Sequence, residues 1–442
     1  MIKGPWGLQM KKRTLGLLVG FLVSSAAQSA TRSGTQLEWS VNTGIGHTDN
    51  ISLVESDPVS QTIASAGGAI DFTREGSGLN VQLRGDGAFL SYLDDAYEDE
   101  FLGSAATTIR FGLLGDALTW TLDDTFGQTI TDEFEPATPD NRGHVNVLST
   151  GPELRLPMGS ATDLVVGGRY ESSSYESANN VDSHSWVGDA AVVRRVSPAV
   201  AWSLNATVSR VVYDDTASFS YNKQELFSQF KATGARQTLT ADLGIGFLDQ
   251  AGQTDSSPLF RVNWTRRLTP SWSLALDAGS EYLNAADQFV GGVARGVVDG
   301  AELGGTQDII LTDQAQRNDS AALSLAFERP RTTLRFFSEV RQERFPGADT
   351  LDRDKWSVGA EASRRITQRL QAFIGASYES RDYGNSNEDD NTTIVNARAD
   401  WRLGRVLFLG LGGDIQRRSG NTGFNYDENV YKATLTYRPS GR

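Results

Sequence analysis

The chain predicts an all-β fold: a single transmembrane antiparallel up-and-down β-barrel of about 20 strands (18 to 22), with short periplasmic turns and longer outer loops. Three observations carry this. Apolar and polar residues alternate over stretches of about ten residues. Short, Arg-bearing turns alternate with longer acidic segments, and an export leader precedes the alternating region.

The leader, residues 1–30, reads MIKGPWGLQMKKRTLGLLVGFLVSSAAQSA. It has a basic stretch at Lys11-Lys12-Arg13, an apolar run from Leu15 to Val23, and a small-residue tail in which Ala27, Ser29 and Ala30 are candidate cleavage points. The run is too short to cross about 30 Å of hydrocarbon as a helix. It is expected to be a signal peptide, leaving 31–442 as an outer-membrane barrel. Four basic and no acidic residues lie in the leader, so the remainder keeps 37 of 41 basic residues against 55 acidic, a balance of −18. Nucleic acid is therefore not an expected partner. The absence of Cys excludes disulfides and thiolate metal sites. His47, His144 and His184 stand in no metal-ligand pattern, so neither metal nor cofactor is expected.

Alternation is clear in several segments. In SLALDAGSEYL (273–283), Leu274, Leu276, Ala278 and Tyr282 oppose Ser273, Asp277, Gly279 and Glu281. In RTTLRFFSEVRQE (331–343), Leu334, Phe336 and Val340 oppose Arg335, Glu339, Arg341 and Glu343. In NTTIVNARADWRL (391–403), Val395, Ala397, Ala399 and Trp401 oppose Asn396, Arg398, Asp400 and Arg402. Strands of a soluble sandwich run about five or six residues; these are roughly twice as long, as a tilted strand crossing a bilayer requires. The tripeptide Arg84-Gly85-Asp86 lies inside such a strand, with Leu79, Val81, Leu83 and Phe89 on one face and Asn80, Gln82, Arg84 and Asp86 on the other. An adhesion loop is not expected there.

Nine short turns are read at 74–78, 113–116, 156–163, 195–200, 233–236, 267–271, 329–331, 365–369 and 403–405. Between them lie ten more polar segments: HTDNISLVESDPVS, DDAYEDE, TDEFEPATPDNRG, ESSSYESANNVD, DDTASFS, DQAGQTDSS, 284–318, FPGADTLDRD, RDYGNSNEDDN and RRSGNTGFNYDE. Nine turns and ten loops join twenty strands. Segment 284–318 is apolar enough in FVGGVARGVV to hide a further hairpin. The acidic loops are open to two readings: plain solvated loops, or contact with lipopolysaccharide through divalent cations.

Trp120, Trp186, Trp202, Trp264, Trp272, Trp356, Trp401 and Tyr437 fall near strand ends, where amphipathic rings prefer the membrane interfaces. The last strand, VYKATLTY, resembles the C-terminal signal read by the outer-membrane barrel assembly machinery, although Arg438 to Arg442 follow it. The leader, the first strand LEWSVNTGIGHTDNISL with its Thr48-Asp49-Asn50 turn, and the aromatic alternating strands together resemble the β-barrel porin 2 family and the outer-membrane barrels found with exopolysaccharide and exosortase systems. The resemblance implies an outer-membrane barrel with polysaccharide synthesis and export proteins among its partners, beside outer-membrane lipid and lipopolysaccharide. It supplies no catalytic residues.

GLGGD (410–414) and GGVARG (291–296) are glycine-rich, but no strand-to-helix phosphate cradle accompanies either. Charges opposite the apolar stripes are more informative. Arg84, Asp86, Arg110, Asp277, Glu281, Arg335, Glu339, Arg341, Arg398, Asp400 and Arg402 are expected to line the lumen, because Arg facing lipid costs about 2 to 4 kcal/mol at midplane. They serve either as an ion-pair ladder bracing the wall or as a selectivity surface. A twenty-strand barrel is too wide for side chains to fill, so a water-filled pore is expected unless a loop folds in. The functional expectation is a non-enzymatic polar conduit for exopolysaccharide export; the alternatives are a diffusion porin and a barrel-embedded hydrolase.

Overall fold

A computed structural model describes residues 34–176, 181–215, 220–299, 308–384 and 388–439. The expected leader lies outside these residues. Twenty strands follow in order. The first seven are β1 (Thr35–Thr48), β2 (Gln61–Arg74), β3 (Leu79–Tyr92), β4 (Glu100–Gly112), β5 (Leu118–Ile130), β6 (Arg142–Pro157) and β7 (Thr162–Tyr175). Then come β8 (Ser183–Ser197), β9 (Val200–Tyr213), β10 (Tyr221–Thr233), β11 (Gln237–Gln250), β12 (Gln253–Arg267) and β13 (Trp272–Leu283). After a helix α1 (Ala285–Asp299), the chain continues through β14 (Gln316–Arg329), β15 (Thr332–Arg344), β16 (Arg353–Arg365) and β17 (Leu370–Tyr383). It ends with β18 (Glu388–Arg402), β19 (Leu407–Gly420) and β20 (Tyr426–Tyr437). Each strand pairs antiparallel with its sequence neighbours, and β20 pairs with β1, closing the sheet. Closure leaves no unpaired edge, which is what allows a sheet to sit in lipid.

Opposed residues of an antiparallel pair share a face, so the registers carry one outward set around the ring. Val41 opposes Tyr437, Leu226 opposes Ile245, Leu243 opposes Phe260, and Val340 opposes Trp356. These apolar side chains are exposed, Leu243 by 73%. A continuous exposed apolar belt of this kind, on a sheet with no unpaired edge, fits a lipid surround. All eight aromatic residues singled out in the sequence fall on this outward face by the same registers.

The nine short connections all fall where the sequence places them and hold two to five residues. The opposite end differs from expectation: RDYGNSNEDDN and RRSGNTGFNYDE are more than half strand, since β17 runs to Tyr383, β18 starts at Glu388, β19 runs to Gly420 and β20 starts at Tyr426. DQAGQTDSS is mostly strand: β11 and β12 meet at a two-residue turn, Ala251-Gly252, with φ of 53° and 78°. The segment 284–318 contains a helix, not a hairpin. Strands run 12 to 16 residues, more than the about ten needed to cross. At the long-loop end they rise beyond the apolar band, and there the outward positions turn polar, as in the pairs Arg317–Asp319 (3.1 Å) and Arg417–Asp427 (3.2 Å).

Candidate constriction in the barrel lumen

The connection from β13 to β14 enters the barrel. Its helix starts on a reciprocal cap: the Asp287 amide donates to Asn284 Oδ1 (2.7 Å), and the Asn284 amide donates to Asp287 Oδ2 (3.3 Å). Asn284 Nδ2 also donates to Tyr221 Oη on β10 (3.0 Å). Ala285, Phe289 and Val293 form one stripe at four-residue spacing and are buried against Val145 and Val147 of β6, with Tyr175, Val181 and Ile309. At 15 residues the helix is about 22 Å long. It leaves β13 and packs on β4 and β5, eight strands away on a ring of twenty, so it spans the lumen. Gly127 on β5 makes the approach possible: a Cβ there would lie 3.1 Å from the Phe289 ring. A cavity of about 380 Å³ remains between α1 and the wall, lined by Thr108, Asp123, Glu171 and Asp287 among others.

The returning chain is pinned by charge. Asp308 meets Arg353 Nη1 (2.8 Å) and Lys355 Nζ (3.1 Å) of β16, and Arg381 Nε (3.3 Å) of β17. Burial opposes its charge, but these three cations outweigh it and hold the carboxyl well below the ordinary carboxylate range. The same wall carries Arg353–Glu343 (2.8 Å), Lys355–Glu379 (2.9 Å), Arg341–Glu343 (3.8 Å), Arg381–Asp390 (3.6 Å) and Arg418–Asp390 (2.8 Å). Arg341, Arg353, Lys355, Arg381 and Arg418 thus face the wall carboxylates Glu339, Glu343, Glu379 and Asp390. The fifth carboxylate comes from the loop, as Asp308.

A second inward segment, 131–141, joins β5 to β6. Asn141 folds it up, donating to the carbonyls of Asp132 (2.9 Å) and Pro136 (3.0 Å). Its tip reaches β17 and β19: Phe134 packs on Tyr383 (5.0 Å between ring centroids), and the Phe134 carbonyl accepts from Arg418 (3.0 Å).

The eleven charged residues named from the sequence all sit on the face opposite the exposed apolar set. The structure brings only some of them together. Glu339 and Arg341 join the Asp308 wall, and Glu281 pairs with Arg261 (2.6 Å) in a second cluster with Glu225 and Lys223. Near the short turns, Asp86, Arg398, Asp400 and Arg402 line a cavity of about 1060 Å³. Arg84 pairs with Asp71 (2.9 Å), Asp277 accepts from Asn263 (3.2 Å), and Arg335 donates to Ser324 (3.4 Å). Arg110 is exposed. Asp308, Arg353, Lys355, Arg381, Asp390 and Arg418 were missed. Most of them fall in FPGADTLDRD, RDYGNSNEDDN and RRSGNTGFNYDE, which the sequence presents as loops; their signal was charge at every second position, continuing past the apolar stripe. His47, His144 and His184 stand on separate strands, at outward positions, with Thr62, Glu176 and Asp214 as neighbours.

Residues 324–439 match the family model described as "Putative beta-barrel porin 2". The match runs from the middle of β14 through β20 and includes the strands that hold Asp308. No curated protein matches the chain. Among solved structures, a variant of the ferric enterobactin receptor PfeA of Pseudomonas aeruginosa is 10% identical, with 91% of this chain and 80% of that chain covered and a TM-score of 0.48. The FrpB iron transporter of Neisseria meningitidis is 10% identical over 91% and 81%, with a TM-score of 0.44. A loop-deletion mutant of OmpT, an outer membrane protein of Vibrio cholerae, is 9% identical over 92% and 100%, with a TM-score of 0.35. A closed twenty-strand wall with an apolar outside and a charged inside, together with the family match over its last strands, makes this an outer-membrane porin-like β-barrel.

Proposed function

We propose that the protein is a narrowed diffusion channel for small hydrophilic solutes in the outer membrane, with the short turns toward the periplasm. One observation carries this reading: the β13–β14 connection crosses the lumen and is held at both walls, by Phe289 on one side and Asp308 on the other. A polymer would need that crossing released, whereas small solutes need only the polar space beside it. The inward charges are proposed to line the path, with the cavity near the short turns as its vestibule.

Single-channel recording in planar bilayers tests this. Wild type should give steady, small conductance steps, and Asp308→Asn should raise the step several-fold. The wall should tolerate that change, because Arg353 keeps Glu343, while Lys355 and Arg381 keep Glu379. Equal steps in both proteins would remove the crossing from the path. Exopolysaccharide export is the second reading, favoured by a wide polar vestibule beneath the crossing segment. It predicts a silent wild type that conducts only when Asp308 is replaced.

A further inference from the structure

We propose that the barrel carries a phosphate-binding rim for phospholipid headgroups of the inner leaflet, built from Arg74, Arg194, Arg266, Arg329 and Arg364. The registers place all five at outward positions in the last residues of a strand before a short turn. All five are exposed. Within five residues of the short turns, and at the matching end of β1 and β20, the outward positions of the strands are otherwise apolar, apart from Thr35, Thr162, Ser197, Thr332 and Gln237. Not one is Asp or Glu. Among the described residues none of the five makes an ion pair.

The Arg-Arg doublets explain how this is arranged. Alternation sends the first member of each to lipid and the second to the lumen: Arg194 lies opposite Trp202 on the outer face, while Arg195 pairs inside with Asp163 (2.6 Å). Arg266–Arg267 and Arg364–Arg365 divide in the same way, and Arg365 lines the cavity near the short turns. Outward arginine is costly at midplane but nearly free at the interface, and these residues lie just beyond an aromatic belt. Arg266 sits over Trp264 (6.0 Å) and Arg329 over Phe327 (5.9 Å). At the other end, outward Arg317, Arg344 and Arg417 are each held by an aspartate. The best-formed position is on β14–β16, where Arg329 opposes Thr332 and Thr332 opposes Arg364. Two guanidinium forks about 10 Å apart at their Cα atoms flank one hydroxyl, a geometry suited to a phosphodiester held by paired N–H donors.

The proposal rests on the short turns facing the periplasm. Native mass spectrometry of the detergent-purified full chain, titrated with phosphatidylglycerol or with a galactolipid of the same acyl chains, tests it. Wild type should retain phosphatidylglycerol in preference, and Arg266→Gln/Arg329→Gln/Arg364→Gln should lower that retention about tenfold without changing the galactolipid. Arg267→Gln/Arg365→Gln removes the inward members and should leave lipid retention as in wild type. Equal retention of both lipids, an unaffected outward triple variant, or displacement of the lipid by millimolar inorganic phosphate would each overturn the proposal. Heat-modified gel mobility checks that the variants still form the barrel. Orientation is read separately, since the chain has no Cys: Ser271→Cys should resist an impermeant maleimide on intact cells. Labelling there would overturn the orientation and the proposal with it; protection together with unaffected lipid retention would overturn the proposal alone.

Discussion

The two ends of the cylinder are built from the same strands but solve different problems. In the short-turn half one face meets lipid and the other meets water, so many strands alternate apolar residues with polar or charged ones, and an ion pair such as Arg84–Asp71 is half-exposed. In the long-loop half the outer face turns polar, the inner face carries both the Asp308 charge cluster and the apolar patch under α1, and the lumen is occupied. The ion pairs on its inner wall around Asp308 are buried, and Arg353 is fully so. Charges of the same type thus brace a wet wall at one end and fasten a crossing segment at the other.

The largest test of this contrast compares two arginines. Arg353→Ala leaves Glu343 and Asp308 buried with a partner missing, and should destabilise the barrel by about 3–5 kcal/mol. Arg84→Ala removes a solvent-exposed pair and should cost less than about 1 kcal/mol. Urea unfolding in detergent, followed by heat-modified mobility, measures both. Similar shifts would mean that the buried wall is no more than a surface ladder.

The same contrast decides what could be read from the sequence. Alternation is a signal of two unlike solvents, so strand number, the nine turns and the inward positions from Arg84 to Arg402 were legible. Where β16 to β19 rise beyond the apolar band, outward Asp354, Asp382 and Asp389 are as polar as inward Arg353, Arg381 and Asp390, and strand looks like loop. The helix was illegible for a different reason. FVGGVARGVV carries small and β-branched residues with weak helical preference, and what holds its start is a cap at Asn284 together with a glycine on a distant strand.

Gly127 gives the next test. Gly127→Val adds atoms where even a Cβ would sit 3.1 Å from Phe289, and overpacking of this kind costs about 1–3 kcal/mol. The expected outcome is displacement of α1 with the wall intact: larger conductance steps and an unfolding midpoint much closer to wild type than that of Arg353→Ala. Unchanged steps would show that α1 does not limit the path. The same substitution at Gly188, whose added Cβ would meet only the Val208 side chain at 3.6 Å on the outer face, is the control.

The smallest expected effect is with pH, and its sign differs for the two inward segments. Asp308 has a depressed pKa, so its pinning energy is fully present above the unfolded value of about 3.9 and is lost as pH falls through the lower folded value. Glu133, in the 131–141 segment, is pushed the other way, chiefly by burial and further by Asp132 and Asp308, while Arg353 acts against the rise. Its ionised form therefore burdens the fold at neutral pH, and protonation relieves that burden as pH drops through the raised value. Acidification from pH 7 to about pH 4 should leave the Asp308 pin in place and steady the 131–141 segment, giving quieter current at constant step size. Only below about pH 4 should steps grow. Glu133→Gln should show the quiet current already at pH 7, and Asp308→Asn should lose the low-pH growth. Steps that grow smoothly from pH 7 downward in wild type would place the limiting contact on neither group.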